Sequence, residues 1–256
     1  TNPAASGTSS GATLLLDGVA TPGYDLINAF YTGNSLDVST QDSLPRATTF
    51  KPDGTTMYLV GDTGNDINQY SLSTAWDITS AVYVQSFVVT SQDDRPSDVF
   101  FKPDGTKMYI VGFGSDAAYQ YTLSTAWDIS TASYDSVSFS VASQTTTPVS
   151  LEIKSDGTKM YVVGISVVYQ YSLSTAWDLS TASYDSVSFS VASQESDAWD
   201  LQFKQDGTYM YTVGPGSDTV YQYTLSTAWD ISTTSYTGIS FSVAAQDIDP
   251  IGLFFK

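Results

Sequence analysis

The side chains of this sequence that could do chemistry are carboxylates, hydroxyls and a few basic groups. The 256-residue chain has no histidine, so it lacks the commonest general base and the commonest transition-metal ligand. It also has no cysteine, which excludes disulfides and thiol chemistry and leaves the redox compartment open. The formal net charge of −18 argues against nucleic acid as a partner, because phosphates require a basic surface.

Several carboxylates lie in short segments that read "QDSLPR", "QDDRPS", "QTTTPV", "QESDAW" and "QDIDPI". If they converge in the fold they repel one another, so they need a counter-charge from Arg46 and Arg95 or from a bound cation. Calcium suits hard oxygen ligands on flexible loops. A calcium site at Asp93, Asp94, Asp247 and Asp249 is therefore one interpretation of these carboxylates. We favour the other interpretation, a solvated acidic rim or a partner interface, and expect no cofactor other than calcium.

The elements that must position these residues repeat along the chain. The string "FKPDGTKMYIVG" begins at Phe101, and near-copies begin at Phe50, Ile153 and Phe203. A second string, "STAWD", follows each copy, and "YDSVSFSVASQ" is identical at Tyr134 and Tyr184. One unit of about fifty residues therefore covers most of the chain.

Each unit divides into four short strands. "PDG" supplies a turn after the first strand, and the second strand, "KMYIV" in one copy, is apolar on both sides. The fourth strand alternates, with Val137 and Phe139 facing one way and Ser136 and Ser138 the other. No helical period persists, and tandem four-stranded units are typical of a β-propeller. The predicted fold is all-β.

The two ends of the chain predict how the ring closes. Residues 31–51 align without a gap on residues 236–256, "GATLLLDG" at 11–18 matches "GTTMYLVG" at 54–61, and "YDL" at 24–26 matches "WDI" at 76–78. We therefore expect about five blades, with repeats beginning near 47, 98, 150 and 200 and a composite blade built from 12–41 and 251–256. We expect residues 12–256 to form one domain and residues 1–11 to be a flexible linker or a processed N-terminus.

The string "FKPDGTKMYIVG…VYQYTLSTAWDIS" resembles the "SPDG…YV" blades of YVTN-type β-propellers. That resemblance covers about residues 12–256 and extends to similar arrays in structural and tail proteins of marine bacteriophages. It implies a propeller of the kind found in surface-layer and secreted proteins. Such propellers include enzymes of the lactonase kind, whose catalytic side chains we could not match to residues of this sequence.

Residues that recur in every unit are expected to build the scaffold. The Trp of "STAWD" could stack on sugars, but we favour packing between blades with the adjoining Asp as a cap. Each Lys that ends a first strand could join an anion-binding ring, but we favour pairing with a turn Asp. The methionines should fill the core, and the glutamines that end the fourth strands should bond to the backbone. These sets are Trp76, Trp127, Trp177 and Trp229; Lys51, Lys102, Lys154, Lys204 and Lys256; Met57, Met108, Met160 and Met210; and Gln41, Gln92, Gln144, Gln194 and Gln246.

The connections that differ between units are expected to share one face, because strand direction alternates. We name this the variable face: it holds the fourth-to-first and second-to-third strand connections. Its predicted ligand- or partner-binding residues are Asp42, Arg46, Asp93, Asp94, Arg95, Asp197, Trp199, Asp247 and Asp249. Glu195 lies in the same connections.

These observations predict a non-enzymatic structural or adhesive module at the cell surface, outside the cell or on a virion. Its partners would be proteins of a larger assembly, including other copies of itself. Two alternatives stay open: a lectin-like head that recognises cell-surface glycans, and a calcium-dependent hydrolase that uses the variable-face carboxylates. No apolar run of about 20 residues is present, so no membrane span is expected.

Overall fold

The computed structural model describes residues 13–16, Tyr24 and residues 26–256. Sixteen strands form four sheets, each of four antiparallel strands in chain order. The chain is thus an all-β propeller with four complete blades. The innermost strands of neighbouring blades contact one another around a central axis.

The strands of each blade follow one another from the axis outward. Blade one contains β2 (Pro45–Phe50), β3 (Thr56–Gly61), β4 (Asp66–Leu72) and β5 (Ala81–Val88). Blade two contains β6 (Pro96–Phe101), β7 (Lys107–Gly112), β8 (Ala117–Leu123) and β9 (Ala132–Ser140). Blade three contains β10 (Pro148–Ile153), β11 (Lys159–Gly164), β12 (Val167–Leu173) and β13 (Ala182–Ser190). Blade four contains β14 (Asp200–Phe203), β15 (Tyr209–Val213), β16 (Thr219–Leu225) and β17 (Thr234–Ser242).

Two further strands and five short 3-10 helices complete the described elements. A two-stranded sheet joins β1 (Thr13–Leu16) to β18 (Gly252–Phe255). The 3-10 helices are Leu26–Asn28, Ile78–Ser80, Ile129–Thr131, Leu179–Thr181 and Ile231–Thr233. In each of the last four, the Asp of "STAWD" caps the N-terminus; Asp128, for example, accepts a hydrogen bond from the Ser130 backbone.

The tryptophans pack between blades, as predicted. The indole of Trp127 lies so close to Gly105 that a Cβ there would overlap the ring, and Gly105 has a φ of 73°. Only glycine suits this "PDG" turn. The Trp127 carbonyl accepts a hydrogen bond from Tyr58 of the preceding blade, and its ring lies 5.4 Å from that of Phe101. The same Tyr–Trp bond recurs from Tyr109 to Trp177 and from Tyr161 to Trp229.

Two other predictions for repeated residues are confirmed. All four methionines are buried in the core. Four of the lysines that end the innermost strands pair with the turn aspartate two residues on, at 2.7 Å: Lys51, Lys102, Lys154 and Lys204.

The predicted role of the glutamines needs a correction. Three of them accept a hydrogen bond from a tyrosine hydroxyl of the third strand instead of from the backbone: Gln41, Gln92 and Gln144.

The prediction of a fifth four-stranded blade is wrong. β18 takes the fifth innermost position, where it contacts β14 on one side and β2 on the other. Its partner, β1, runs parallel to it, whereas the sequence alignment required an antiparallel second strand. Residues 29–44, the expected fourth strand, contain no strand. The physical reason is chain length: nine residues, 17–25, separate β1 from the first 3-10 helix, whereas 16 residues, 62–77, separate β3 from the corresponding helix of blade one.

The fifth position nevertheless keeps the contact that joins blades. Tyr24, which aligns with the tryptophans, also has a positive φ of 85°. Its carbonyl accepts a hydrogen bond of 2.7 Å from Tyr211 of blade four, and its ring lies 4.9 Å from that of Phe255. The predicted linker at 1–11 lies outside the described residues.

Candidate functional site

A buried polar cluster lies where three innermost strands meet at the axis. Asp98, Ser150 and Asp200 occupy the same register position in β6, β10 and β14, since each pairs with the valine that directly precedes the glycine of the second-strand motif. The Ser150 Oγ lies 3.0 Å from Asp98 Oδ2 and 2.7 Å from Asp200 Oδ1. The equivalent positions in β2 and β18 are the small residues Ala47 and Gly252. One hydroxyl therefore bridges carboxyls from blades two and four. We name this the axial acid cluster.

The hydrogen bonds of this cluster require a proton on one of its carboxyls. A serine hydroxyl carries a single proton, so Ser150 can donate to only one aspartate at a time. The other aspartate must then be a protonated donor for the contact to be a hydrogen bond. Burial raises the pKa of both carboxyls: that of Asp200 to about 6, and that of Asp98 well above its ordinary value, with the Asp200 charge adding to the effect.

Backbone N–H groups satisfy the remaining carboxyl oxygens. Asp98 accepts hydrogen bonds from Val99 and from Leu151 of the next blade. Asp200 accepts one from Leu201 and one from Leu253 of β18. The cluster is therefore held in a fixed position by three blades and by the closing strand. Asp98 and Asp200 are 8% and 6% exposed, so both side chains are buried with only a small area in contact with solvent.

A third carboxyl, Glu152, lies two residues further along β10 and therefore on the same side of that strand. Its Oε2 accepts a hydrogen bond of 2.9 Å from the Phe203 backbone. Burial raises its pKa well above the ordinary value, and the charges of Asp200 and Asp98 add to this. Within the described part of the chain, none of the three carboxyls forms an ion pair.

A second cluster lies on the variable face and draws on blades one, two and four. Arg46 pairs with Asp62 at 2.8 Å, and its Cζ lies 5.0 Å from the ring centroid of Trp199. Arg95 lies 4.5 Å over the ring of Phe113, which meets Trp199 edge to face with centroids 6.1 Å apart. Residues from blades that are not neighbours in the ring thus touch. We name Arg46, Asp62, Arg95, Phe113 and Trp199 the mouth cluster.

The structure brings together four of the residues predicted for the variable face. Arg46, Arg95 and Trp199 belong to the mouth cluster, and Asp197 accepts a hydrogen bond of 3.0 Å from the Trp199 indole. Sequence reasoning missed Asp62 and Phe113. The signal for both was present: each directly follows the glycine that ends a second strand, where the four units differ most in residue type.

The other predicted carboxylates tie loops together. Asp42 is 1% exposed and accepts hydrogen bonds from the backbones of Leu44, Thr63 and Gly64. Asp93, in the next blade, accepts bonds from Arg95, Gly114 and Ser115, and Glu195 plays the same part in blade four. Asp247 accepts a bond from the Asp249 backbone. Asp94 lies beside Gly114.

Calcium binding by Asp93, Asp94, Asp247 and Asp249 stays a prediction. The first two belong to the loop that enters blade two, and the last two to the loop that enters β18. Over the described residues, no group of three or more acidic side chains is placed so that it could hold one metal ion.

The axial acid cluster was also missed from the sequence. Within the motif that ends each innermost strand, "ATTFK", "DVFFK", "SLEIK", "DLQFK" and "GLFFK", the first position changes from unit to unit. Two aspartates and a serine at a buried strand position are a readable signal. This signal is not visible within a single unit, because the positions of the five units come together only in the assembled ring.

Comparison with solved structures relates the chain to other β-propellers. No family model matches the chain, and no curated protein matches it either. Among solved structures it is similar to a provisionally assigned 6-phosphogluconolactonase from Bacteroides fragilis, with a TM-score of 0.54 at 12% identity over 83% of this chain and 58% of that one. A periplasmic gluconolactonase from Pseudomonas aeruginosa gives a TM-score of 0.51 at 12% identity, over 83% and 56%.

A third similar structure is a protein of unknown function from Desulfotomaculum acetoxidans, with a TM-score of 0.52 at 13% identity over 81% of this chain and 59% of that one. The chain thus spans less than two thirds of each of these proteins. At such identities the likeness shows the fold, a β-propeller. No sequence match supports kinship with YVTN or bacteriophage proteins.

These comparisons contradict the expectation of a non-enzymatic structural or adhesive module. The propellers to which the chain is similar include proteins named as lactonases, which are enzymes. The sequence led us to expect no membrane span, and no helix among the described residues is long and apolar enough to cross a bilayer.

Proposed function

We propose that this propeller is a hydrolase that opens a small lactone or a related ester at the axial acid cluster. The observation that carries the proposal is the sharing of one Ser150 hydroxyl between Asp98 and Asp200. This geometry holds one carboxylate and one carboxylic acid side by side. Environments that separate the protonation states of two neighbouring groups define an acid and a base.

The chemistry follows from that pair. The ionised carboxylate removes a proton from a water molecule, whose oxygen then forms a bond to the lactone carbonyl carbon. The protonated carboxyl hydrogen-bonds to the carbonyl oxygen, where negative charge develops. When the ring C–O bond breaks, the carboxyl that took the proton from water gives it to the leaving oxygen, and the product is a hydroxy acid. Ser150 positions both aspartates, and the small residues Ala47 and Gly252 complete the ring around the axis.

The fold comparisons support the class of reaction and nothing finer. Two of the similar structures are named as a 6-phosphogluconolactonase and a gluconolactonase, and these names do not transfer a site at this identity. Because only a small fraction of the Asp98 and Asp200 side chains is exposed, we favour a small substrate over a polymer.

The test is hydrolysis of glucono-1,5-lactone, followed in a pH-stat against the uncatalysed rate. We expect Asp98→Asn and Asp200→Asn each to lower kcat/KM by roughly 100-fold or more, because each removes the acid or the base. Ser138→Ala, on the exposed side of β9, is the matched control and should keep the parent rate. A parent without activity above background, or aspartate variants with the parent rate and an unchanged fold by circular dichroism, would contradict the proposal.

A location outside the cell or at a cell or virion surface is also a proposal, supported by the acidic composition and by the resemblance of the repeats. Interaction with protein partners there is proposed on the same basis. Fractionation of the source cells, with the chain detected by an antibody, tests the location.

A further inference from the structure

The distribution of basic residues in this acidic protein is uneven. The chain has seven lysines, and each lies at the end of an innermost strand or at the start of a second strand; all except Lys256 lie beside the "PDG"-type turns. Its two arginines, Arg46 and Arg95, lie at the opposite end, on the variable face. Both touch the aromatic residues of the mouth cluster. Positive charge on this face is therefore concentrated at one place.

Arg95 is placed to bind a ligand. Its side chain is 56% exposed, and Phe113 supports the guanidinium from below at 4.5 Å. Its Nε lies 3.8 Å from Asp62 Oδ1, which is beyond hydrogen-bonding distance. The guanidinium therefore keeps hydrogen-bond donors for a planar, two-oxygen acceptor.

Arg46 supplies a second donor. Its guanidinium is held between Asp62 and the Trp199 ring, yet its Nε is buried without a hydrogen-bond partner among the described residues. A buried donor without a partner is unfavourable, and an oxygen atom of a ligand would satisfy it. The two arginines share Asp62, so one carboxylate faces two guanidinium groups.

The aromatic residues define the rest of the ligand. Phe113 and Trp199 meet edge to face, which gives the mouth an apolar wall beside the two arginines. Asp197, bonded to the Trp199 indole, adds an acceptor for hydroxyl groups. Such a combination suits a ring whose faces are apolar and whose edges carry hydroxyls and an acidic group.

We infer that the mouth cluster binds the carboxylate and ring of a sugar acid, a monoanion of the uronate class. The net charge of −18 opposes the approach of any anion, and it opposes a phosphate dianion more strongly than a monoanion. A carboxylate also matches the planar fork of Arg95. This inference rests on the proposed function only for what happens after binding; the binding itself is a separate property of the mouth cluster.

The test is isothermal titration calorimetry with sodium D-glucuronate, with glucose and glucose 6-phosphate as comparison ligands. We expect glucuronate to bind at least tenfold more tightly than glucose, and raised salt to weaken it. Arg95→Ala and Trp199→Ala should each weaken glucuronate binding at least tenfold. Lys107→Ala, which removes a basic residue at the opposite end, should leave it unchanged.

Several results would overturn the inference. These are equal binding of glucuronate and glucose, glucuronate binding that is undiminished in Arg95→Ala, tighter binding of glucose 6-phosphate than of glucuronate, and no binding of glucuronate at all. Arg95→Lys keeps the charge but loses the fork, so it should fall between the parent and the alanine variant.

The same titration separates this inference from the proposed reaction. Asp98→Asn lies in the axial acid cluster, outside the mouth, and should bind glucuronate like the parent while losing lactone hydrolysis. Binding without hydrolysis in the parent would remove the proposed reaction and keep the mouth site. Hydrolysis in a parent that does not bind glucuronate would keep the proposed reaction and remove the mouth site.

Discussion

At the scale of single residues, the axial carboxyls link function to pH. Asp98 and Asp200 are buried and Glu152 is half-buried close to them, and burial raises the pKa of each. Their folded-state pKa values exceed those of the unfolded chain, so the folded protein binds more protons than the unfolded one between the two values. Stability is then greatest below the unfolded pKa and falls as the pH rises through the folded pKa.

We therefore expect the melting temperature to fall between pH 5 and pH 8, and to fall less in Asp200→Asn, which cannot ionise. Differential scanning calorimetry at several pH values measures this. Asp104→Asn is the control: Lys102 and Thr106 lower the pKa of Asp104 to about 2, so its contribution is constant above pH 5. An Asp200→Asn variant whose melting temperature falls as steeply with pH as that of the parent would contradict the account.

At the scale of elements, much of the blade could be predicted from the sequence. The turn glycines, the buried methionines and the capping Asp of "STAWD" are local features that each unit repeats, and all appear as expected. The fifth position could be predicted only in part. The alignment located Tyr24 and β18 correctly, but it could not show that β1 pairs with β18 in parallel.

The closing strand β18 carries the element-scale prediction. Leu253 donates to Asp200 and Phe255 donates to Gln202, and β18 fills the gap between β14 and β2. Deletion of residues 251–256 should expose two strand edges, leave Asp200 without a backbone partner, and cause aggregation or a large loss of stability. Light scattering and thermal melting measure both.

Deletion of residues 1–11, the predicted linker, is the matched control and should leave the melting temperature unchanged. A chain lacking 251–256 that stays monomeric and melts like the parent would show that β18 does not close the ring.

At the scale of the whole molecule, both candidate sites exist only because the ring is assembled. Ser150 meets Asp98 and Asp200 from two other blades, and Arg46 of blade one reaches Trp199 of blade four. Neither contact can be derived from one repeat, since the residues lie far apart in the chain and occupy different copies. The sequence indicated which face carries the connections that differ between units, but it could not indicate which residues meet at the axis.

The most direct test of the account is a carbon-13 NMR titration of the aspartate carboxyls, assigned by the Asp98→Asn and Asp200→Asn variants. The account predicts that the pair loses its two protons in separate steps and still holds one proton near pH 7, with each single variant changing the titration of the remaining aspartate. If instead both carboxyls lose their protons independently near pH 4, the two would be ionised together at neutral pH. The shared proton, and with it the proposed acid and base, would then be contradicted.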